Sequence, residues 1–240
     1  MLKLKPERLD AADFAEQALS IAGKAFIADM SGALYWPAED ALIVADLHLE
    51  KGSAFAARGQ LLPPYDTRDT LAKLAAAIDR YDAATIITLG DSLHDAGAAE
   101  RMDAEALETL RIMQSEREWI WITGNHDPAI APVLGGHVLD ELKVEGITFR
   151  HEPRRGRVTH EIAGHLHPAA RLFMHGYSIR RPCFVGNGRR LVMPAYGTYA
   201  GGLNILDAAF EPLFASDGMA VWLLGQEGLY PVATRLLKED

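Results

Sequence analysis

Ala41-Leu42-Ile43-Val44-Ala45-Asp46-Leu47-His48 opens on five apolar residues and closes on an acid and an imidazole, and the same arrangement returns twice. Ala84-Thr85-Ile86-Ile87-Thr88-Leu89 runs into Gly90-Asp91, and Glu118-Trp119-Ile120-Trp121-Ile122-Thr123 runs into Gly124-Asn125. Short apolar runs bounded by turn residues read as buried strands. Between the first two, Leu71, Leu74, Ala75 and Ile78 recur at helical spacing within Thr67 to Tyr81, and Ala98 to Gln114 reads the same way before the third. Strand, helix, strand, helix, strand predicts a parallel sheet with crossovers, hence an α/β fold.

Further along, strand-like pieces are shorter: Ile147 to Phe149, Val158 to Ala163, Arg171 to Met174, Cys183 to Val185 and Leu191 to Met193. Glycines and prolines punctuate them, which predicts meandering pairs. Two sheets packed face to face with helices outside accommodate both halves. No repeat, low-complexity tract or long linker marks a boundary, so residues 1–240 are expected to form one domain, and 49% apolar residues suffice for its core.

The amino-terminal MLKLKPERLDAADFAEQALS is broken by charges, and no stretch approaches the roughly 18 apolar residues of a membrane span. A single cysteine, Cys183, excludes an internal disulfide and fits a reducing cytoplasm. The net charge of -9 argues against nucleic-acid binding by a generally basic surface. That average hides an uneven distribution: Arg150 to Arg190 holds nine arginines against Glu152 and Glu161, a local +7, leaving -16 for the rest.

Polar residues gather where the strands end: Asp46-Leu47-His48, Gly90-Asp91-Ser92-Leu93-His94-Asp95 and Gly124-Asn125-His126-Asp127, then His151-Glu152-Pro153 and Gly164-His165-Leu166-His167. Singly, each is weak, since an Asp after a strand is commonly a turn residue or cap. Together, three strand ends bring Asp, His and Asn to one edge, the usual ligand crevice of a parallel sheet. Imidazole and carboxylate suit zinc, manganese or iron, and a carboxylate shared between two cations suits two-metal hydrolysis. Ser92 lacks the His and acid of a covalent nucleophile, and Cys183 reads as a small buried hydrophobe.

The order D-x-H, G-D-x-x-H/D, G-N-H-D/E, H, G-H-x-H resembles the calcineurin-like metallophosphoesterases over about residues 41 to 168. The resemblance implies a two-sheet αββα sandwich with a dinuclear centre at one end. By motif, one metal would take Asp46, His48, Asp91 and His167, and the other Asp91, Asn125, His151 and His165. The implied mechanism is in-line attack by a bridging hydroxide, with Asp91 and His126 as the catalytic pair and His126 protonating the leaving oxygen. Manganese is the expected metal, with zinc or iron as alternatives. His160 rivals His151 as the fourth-motif ligand; His151 is preferred because it follows a strand. The second motif ends His94-Asp95 where many members carry an acid that orients the catalytic histidine, so the partner of His126 is open.

A narrower resemblance rests on Ala45-Asp46-Leu47-His48-Leu49-Glu50-Lys51-Gly52-Ser53, Leu62-Pro63-Pro64-Tyr65-Asp66-Thr67, Gly90-Asp91-Ser92-Leu93-His94-Asp95, Pro194-Ala195-Tyr196-Gly197 and Gly201-Gly202-Leu203-Asn204. These are similar to the bacterial DNA-ligase-associated metallophosphoesterases. That implies a phosphodiesterase or endonuclease in DNA repair beside an ATP-dependent DNA ligase, a DEXH-box helicase and an exonuclease. A chain of this length has little room for a separate duplex-gripping domain, so single-stranded DNA or a small diester is the expected substrate. Arg154, Arg155 and Arg157, close after His151, and Asn125 are the expected phosphate contacts, with Lys51 as a further candidate. Tyr35, Trp36, Tyr196 and Tyr199 suit either base stacking or core packing, the core being commoner. A nucleotide pyrophosphohydrolase, a phosphomonoesterase and a non-catalytic scaffold are the competing readings, and a homodimer is left open.

Overall fold

The computed structural model describes residues 16–174, 176–214 and 218–240; the charge-broken stretch over residues 1–15 lies outside them. Seven strands form the first sheet in sequence order. β1 (Glu16–Ile21), β2 (Lys24–Asp29), β3 (Leu34–Trp36) and β4 (Ala41–Val44) are antiparallel neighbours. β5 (Thr85–Leu89), β6 (Glu118–Ile122) and β7 (His137–Leu139) continue from β4 in parallel. Helices make the crossovers: α1 (Lys51–Ala57) and α2 (Asp66–Tyr81) precede β5, and α3 (Ala98–Arg101) and α4 (Ala104–Gln114) precede β6.

The single helix expected over 98–114 is therefore two. Met102 is extended (φ -62°, ψ 128°), and the Asp103 carboxylate accepts from Ala106 N at 2.8 Å, capping a fresh helix start. Such a cap contributes about 1 kcal/mol.

In the second sheet, β8 (Glu141–Val144) pairs with β9 (Ile147–Arg150), followed by β10 (Glu161–Ala163), β11 (Pro168–Met174), β12 (Tyr177–Gly186), β13 (Arg190–Val192), β14 (Leu203–Asn204), β15 (Ala220–Leu224), β16 (Leu229–Val232) and β17 (Leu237–Lys238). Its hairpins β8–β9 and β11–β12 are antiparallel, as a meander requires. Its centre is not: β10 lies parallel to both β9 and β13. The connection over 151–160 crosses without a helix, which leaves β10 flanked and buried throughout.

The period of two along each strand sorts side chains between layers. Ala41, Ile43, Ala45, Ile87, Leu89, Ile120 and Ile122 face the second sheet, where Phe149, Ile162, Phe184, Leu191 and Met193 meet them. Leu42, Val44, Ile86, Trp119 and Trp121 face the other way, onto Leu71, Leu74, Ile78, Leu110 and Met113 of α2 and α4. Each buried Leu, Ile, Val, Phe or Met side chain among these contributes about 1.5–3 kcal/mol. The outer face of the second sheet, with Cys183, Val185 and Val192, is closed by Ile205, Phe210, Leu213 and Phe214 around the short α5 (Glu211–Phe214).

The sandwich places five strand ends on one edge. Asp46 and His48 follow β4, Asp91 follows β5, Asn125 follows β6, His151 follows β9, and His165 and His167 follow β10. No helix among the described residues is long and apolar enough to cross a membrane.

Candidate metal centre

Five of these seven side chains sit on left-handed backbone: Asp46 (φ 54°), His48 (φ 46°), Asp91 (φ 46°), His165 (φ 70°) and His167 (φ 44°). Such positions cost of order 1–3 kcal/mol each and persist only where surrounding contacts over-determine them. Those contacts are visible. Asp46 N donates to Gly90 O (3.2 Å), His48 N to Asp91 O (2.9 Å), and His165 N to the Asp46 carboxylate (2.9 Å). Close approach also requires glycine at 90, where a Cβ would stand 2.6 Å from the His151 ring.

The carboxylate and imidazole donors among these seven residues fall into two groups, Asp46 with His48 and His167, and Asp91 with His151 and His165, each within 4.8 Å, and a third cluster joins His48 to His94 and His126. In the first, His48 Nε2 faces His167 Nε2 at 3.2 Å, and His167 Nε2 lies 3.3 Å from Asp46 Oδ1. In the second, His151 Nδ1 meets Leu89 O at 2.9 Å; a carbonyl only accepts, so this nitrogen carries the hydrogen. His151 Nε2 then faces Asn125 Oδ1 (3.0 Å), His165 Nδ1 (3.0 Å) and Asp91 Oδ2 (3.4 Å), all lone-pair bearers. Lone pairs converging without enough hydrogens to share are what a cation resolves, and the bond from Nδ1 to a carbonyl is the usual outer support of a ligating histidine. The donor set therefore fits two divalent cations of the zinc, manganese or iron type.

Protonation follows the same geometry. Burial, reinforced by His167, lowers His48 to about 3, and burial beside His151 lowers His165, so both rings are neutral and available as ligands. Burial opposes charge on His151 too, but the Asp91 and Asp46 carboxylates override it and hold the ring up at about 9. Burial likewise opposes ionisation of Asp91, yet the hydrogen bonds from His151 and from His126 N bring it down to about 2. A proton on His151 Nε2 thus occupies the place a cation takes.

His126 stands beside this arrangement, half exposed, with Nε2 4.0 Å from Asp91 Oδ2. Its Nδ1 donates to His94 O at 2.8 Å, so a main-chain carbonyl supplies the orientation that the sequence left open. Asp95 is engaged elsewhere, with Arg101 (2.7 Å) and Gly97 N (3.0 Å). His160 belongs to none of these groups; its carbonyl accepts from Thr148 N.

Asp127, quoted within a motif but given no role from sequence, is fully buried and collects four backbone N–H groups: Asp91 (2.9 Å), Ser92 (2.7 Å), Leu93 (3.0 Å) and Gly124 (2.9 Å). It ties the β5 loop to the β6 loop. An acid directly after Gly-Asn-His is the signal that could have revealed it.

The arginines divide. Arg154, Arg155 and Arg157 are exposed on the loop after His151, with Arg154 reaching Glu141 at 4.0 Å. Arg190 is buried against Glu161 (2.5 Å), and Arg180 pairs with Asp240 (3.0 Å). Lys51 Nζ donates to Tyr199 O (3.1 Å), and Ser92 Oγ lies buried on Thr88 Oγ1 (3.0 Å). Trp36 and Tyr196 are core residues, Tyr35 stacks on Tyr81, and buried Cys183 has its thiol pushed well above the usual range by burial.

Residues 41–206 match the calcineurin-like phosphoesterase family. Among solved structures, the Pseudomonas putida nuclease MPE is 29% identical, with TM-score 0.70, covering 90% of this chain and 100% of its own. A protein of unknown function from Aquifex aeolicus, AQ665, is 16% identical with TM-score 0.38, covering 53% of this chain and 78% of its own, too distant to carry an argument. No curated protein matches the chain. The family match spans every strand end that carries a candidate ligand, and the chain belongs to the calcineurin-like phosphoesterases, a family of metal-dependent phosphoesterases.

Proposed function

We propose that the chain is a phosphodiesterase that cleaves single-stranded DNA with two divalent cations, manganese preferred. The observation that carries the reading is the convergence of Asp91, Asn125, His151 and His165 beside Asp46, His48 and His167, with His126 at the rim. The likeness to a nuclease over 90% of the chain favours a diester over a monoester.

When bound, the two cations supply Lewis-acid activation of water and of the phosphoryl oxygens. Asp46, His48 and His167 would hold one, and Asn125, His151 and His165 the other, with Asp91 shared. The residues of the chain do the rest. His126, fixed through Nδ1, presents Nε2 to the crevice, where its protonated form donates to the leaving oxygen. Asp127 holds the Asp91 loop so that its carboxylate keeps one bearing toward both groups. Arg154, Arg155 and Arg157, exposed after His151, meet the phosphates of an approaching strand.

The test is an assay of metal-stripped protein with manganese, zinc, iron, magnesium or no metal restored, against bis-(p-nitrophenyl) phosphate, a monoester and fluorescent single-stranded DNA. Metal-restored cleavage of the diester and the DNA, absent in Asp91→Ala and His126→Ala, is expected. Cleavage of the monoester alone would replace this reading with a phosphomonoesterase. The further reading, action in cytoplasmic DNA repair beside an ATP-dependent DNA ligase and a DEXH-box helicase, rests on the narrower sequence resemblance and is tested by pull-down with each purified partner.

A further inference from the structure

Two glycine-bearing motifs, Pro194-Ala195-Tyr196-Gly197 and Gly201-Gly202-Leu203-Asn204, hold no candidate metal ligand. Together they form a strap that grips the metal centre from one side. Tyr196 N donates to Ala45 O (2.8 Å), Gly197 N to Asp46 O (3.1 Å), and Leu203 N to His167 O (2.9 Å). A side chain at 197 would fall on the Leu47 carbonyl, and one at 202 would stand 2.9 Å from His167 O, so only glycine permits this contact. Thr198 N, bonded to Thr70 Oγ1 at 3.1 Å, pins the strap to α2.

The strap walls a cavity of about 350 Å³ that adjoins the metal centre through His167. Lys73, Arg180, Arg181, Thr198 and Gly202 also line it, and no carboxylate does. Lys73 is held in place by Tyr196, whose carbonyl takes its Nζ and whose ring lies 3.8 Å from it. Arg180 Nη2 donates to Gly202 O at 2.6 Å, which fixes the guanidinium to the strap, and Nε and Nη2 together fork onto the exposed Asp240 carboxylate at 3.0 and 3.1 Å. Both side chains of that pair are about half exposed, so solvent screens it, and a phosphate entering here takes the place of the Asp240 carboxylate on the same fork. The volume lies within the roughly 300–1,000 Å³ of small-ligand sites, and a cationic lining without acid selects an anion.

We propose that this cavity is the subsite for the phosphodiester next to the scissile one, with Arg180 as the contact that makes a strand a better substrate than a small diester. The proposal rests on the phosphodiesterase reading above and adds the residues that recognise polymer. With Nη2 kept on Gly202 O, the guanidinium offers Nη1 to a phosphate oxygen, and Nε as well once the phosphate replaces Asp240. Its fixed link through Gly202 to His167 sets the distance between flanking and scissile phosphates.

The experiment compares wild type, Arg180→Ala and Arg180→Lys, loaded with manganese, on bis-(p-nitrophenyl) phosphate and on a fluorescent single-stranded oligonucleotide. Arg180→Ala should raise KM for the oligonucleotide about tenfold, the scale of one charge-assisted hydrogen bond. Its kcat/KM on the small diester should stay within about twofold of wild type. Arg180→Lys should recover part of the loss, because lysine keeps the charge without the fork. An oligonucleotide whose flanking phosphates are neutral methylphosphonates supplies a control independent of folding. Wild type should lose the same factor on it, and Arg180→Ala should lose nothing more. Equal losses on both substrates or a methylphosphonate penalty undiminished in Arg180→Ala would each overturn the subsite alone, and small-diester hydrolysis with no oligonucleotide cleavage would overturn the subsite together with single-stranded DNA as substrate. Absence of metal-dependent diester hydrolysis in wild type would overturn the phosphodiesterase reading, and the subsite with it.

Discussion

The two sheets bring different chemistry to the shared edge, and they fix their loops by opposite means. The first supplies Asp46, His48, Asp91 and Asn125; the second supplies His151, His165 and His167. Behind the first set, the buried anion of Asp127 gathers four N–H groups. Behind the second, the buried cation of Arg190 gathers carbonyls: Leu213 O (2.7 Å), Arg154 O (2.5 Å) and Gly156 O (3.1 Å), with Glu161 as its counter-ion. Each loop set thus has its own buried anchor, while each of the two candidate ligand groups that include a carboxylate draws on both sheets. The centre is therefore complete only once the sheets have packed together.

The sharpest way to break this comparison is to remove Asp91, the carboxylate proposed to serve both cations. Asp91→Ala should lower diester hydrolysis on the order of a thousandfold or more, the scale seen when a catalytic group is lost. Metal analysis should show both cations weakened. His165→Ala, which takes one ligand from one group, should leave the other cation in place; loss of both ions from His165→Ala would show the two groups to be inseparable.

Next in size is the anchor of the second sheet. Arg190→Met leaves Glu161 buried without its main partner and should cost about 3–5 kcal/mol of unfolding free energy. Arg190→Met combined with Glu161→Leu should recover most of that, since an apolar pair removes the stranded charge. A double variant as unstable as the single one would mean that the carbonyls, rather than the ion pair, are what Arg190 is needed for.

His126→Ala should lower kcat about a hundredfold while both cations remain, as expected for loss of a general acid. Asp127→Asn keeps the shape and turns an N–H toward donors that need an acceptor. Thermal or denaturant unfolding should show a loss of about 1–3 kcal/mol. Metal affinity should fall about 10- to 100-fold, as for other outer supports of a ligand shell.

The unequal legibility of the two sheets has the same origin. Asp46, Asp91 and Asn125 could be read because each ends an apolar strand in a parallel sheet, and two of the three follow a glycine. The histidines of the second sheet were reached through motif order instead, because β10 is only three residues long and its parallel placement has no helix to announce it. Arg189 and Arg190 cannot be told apart in sequence. Only the β10–β13 register, which sets Glu161 opposite Arg190, buries the second and leaves the first exposed. The break at Met102-Asp103 was missed because apolar spacing continues across it while a carboxylate restarts the helix. The glycines of the strap were visible as a motif, but their task emerges from contacts with Leu47 and His167, distant in sequence.

The smallest effect concerns protons and distinguishes the second group from the first. In the metal-free protein His151 is held up at about 9 by Asp91 and Asp46, whereas His48 is lowered to about 3. At neutral pH a cation entering beside Asp91 must therefore expel a proton from His151, while one entering beside His48 meets a neutral ring. Below about pH 9 the fraction of deprotonated His151 falls tenfold per unit, so affinity at that position should fall about tenfold for each unit of acidification. Calorimetric titration of the stripped protein with manganese between pH 6 and 8, in buffers of different ionisation enthalpy, should register release of about one proton at one of the two positions and a flat response at the other. Equal proton release at both would show that Asp91 and Asp46 do not single out His151, and that the two sheets contribute histidines of the same kind.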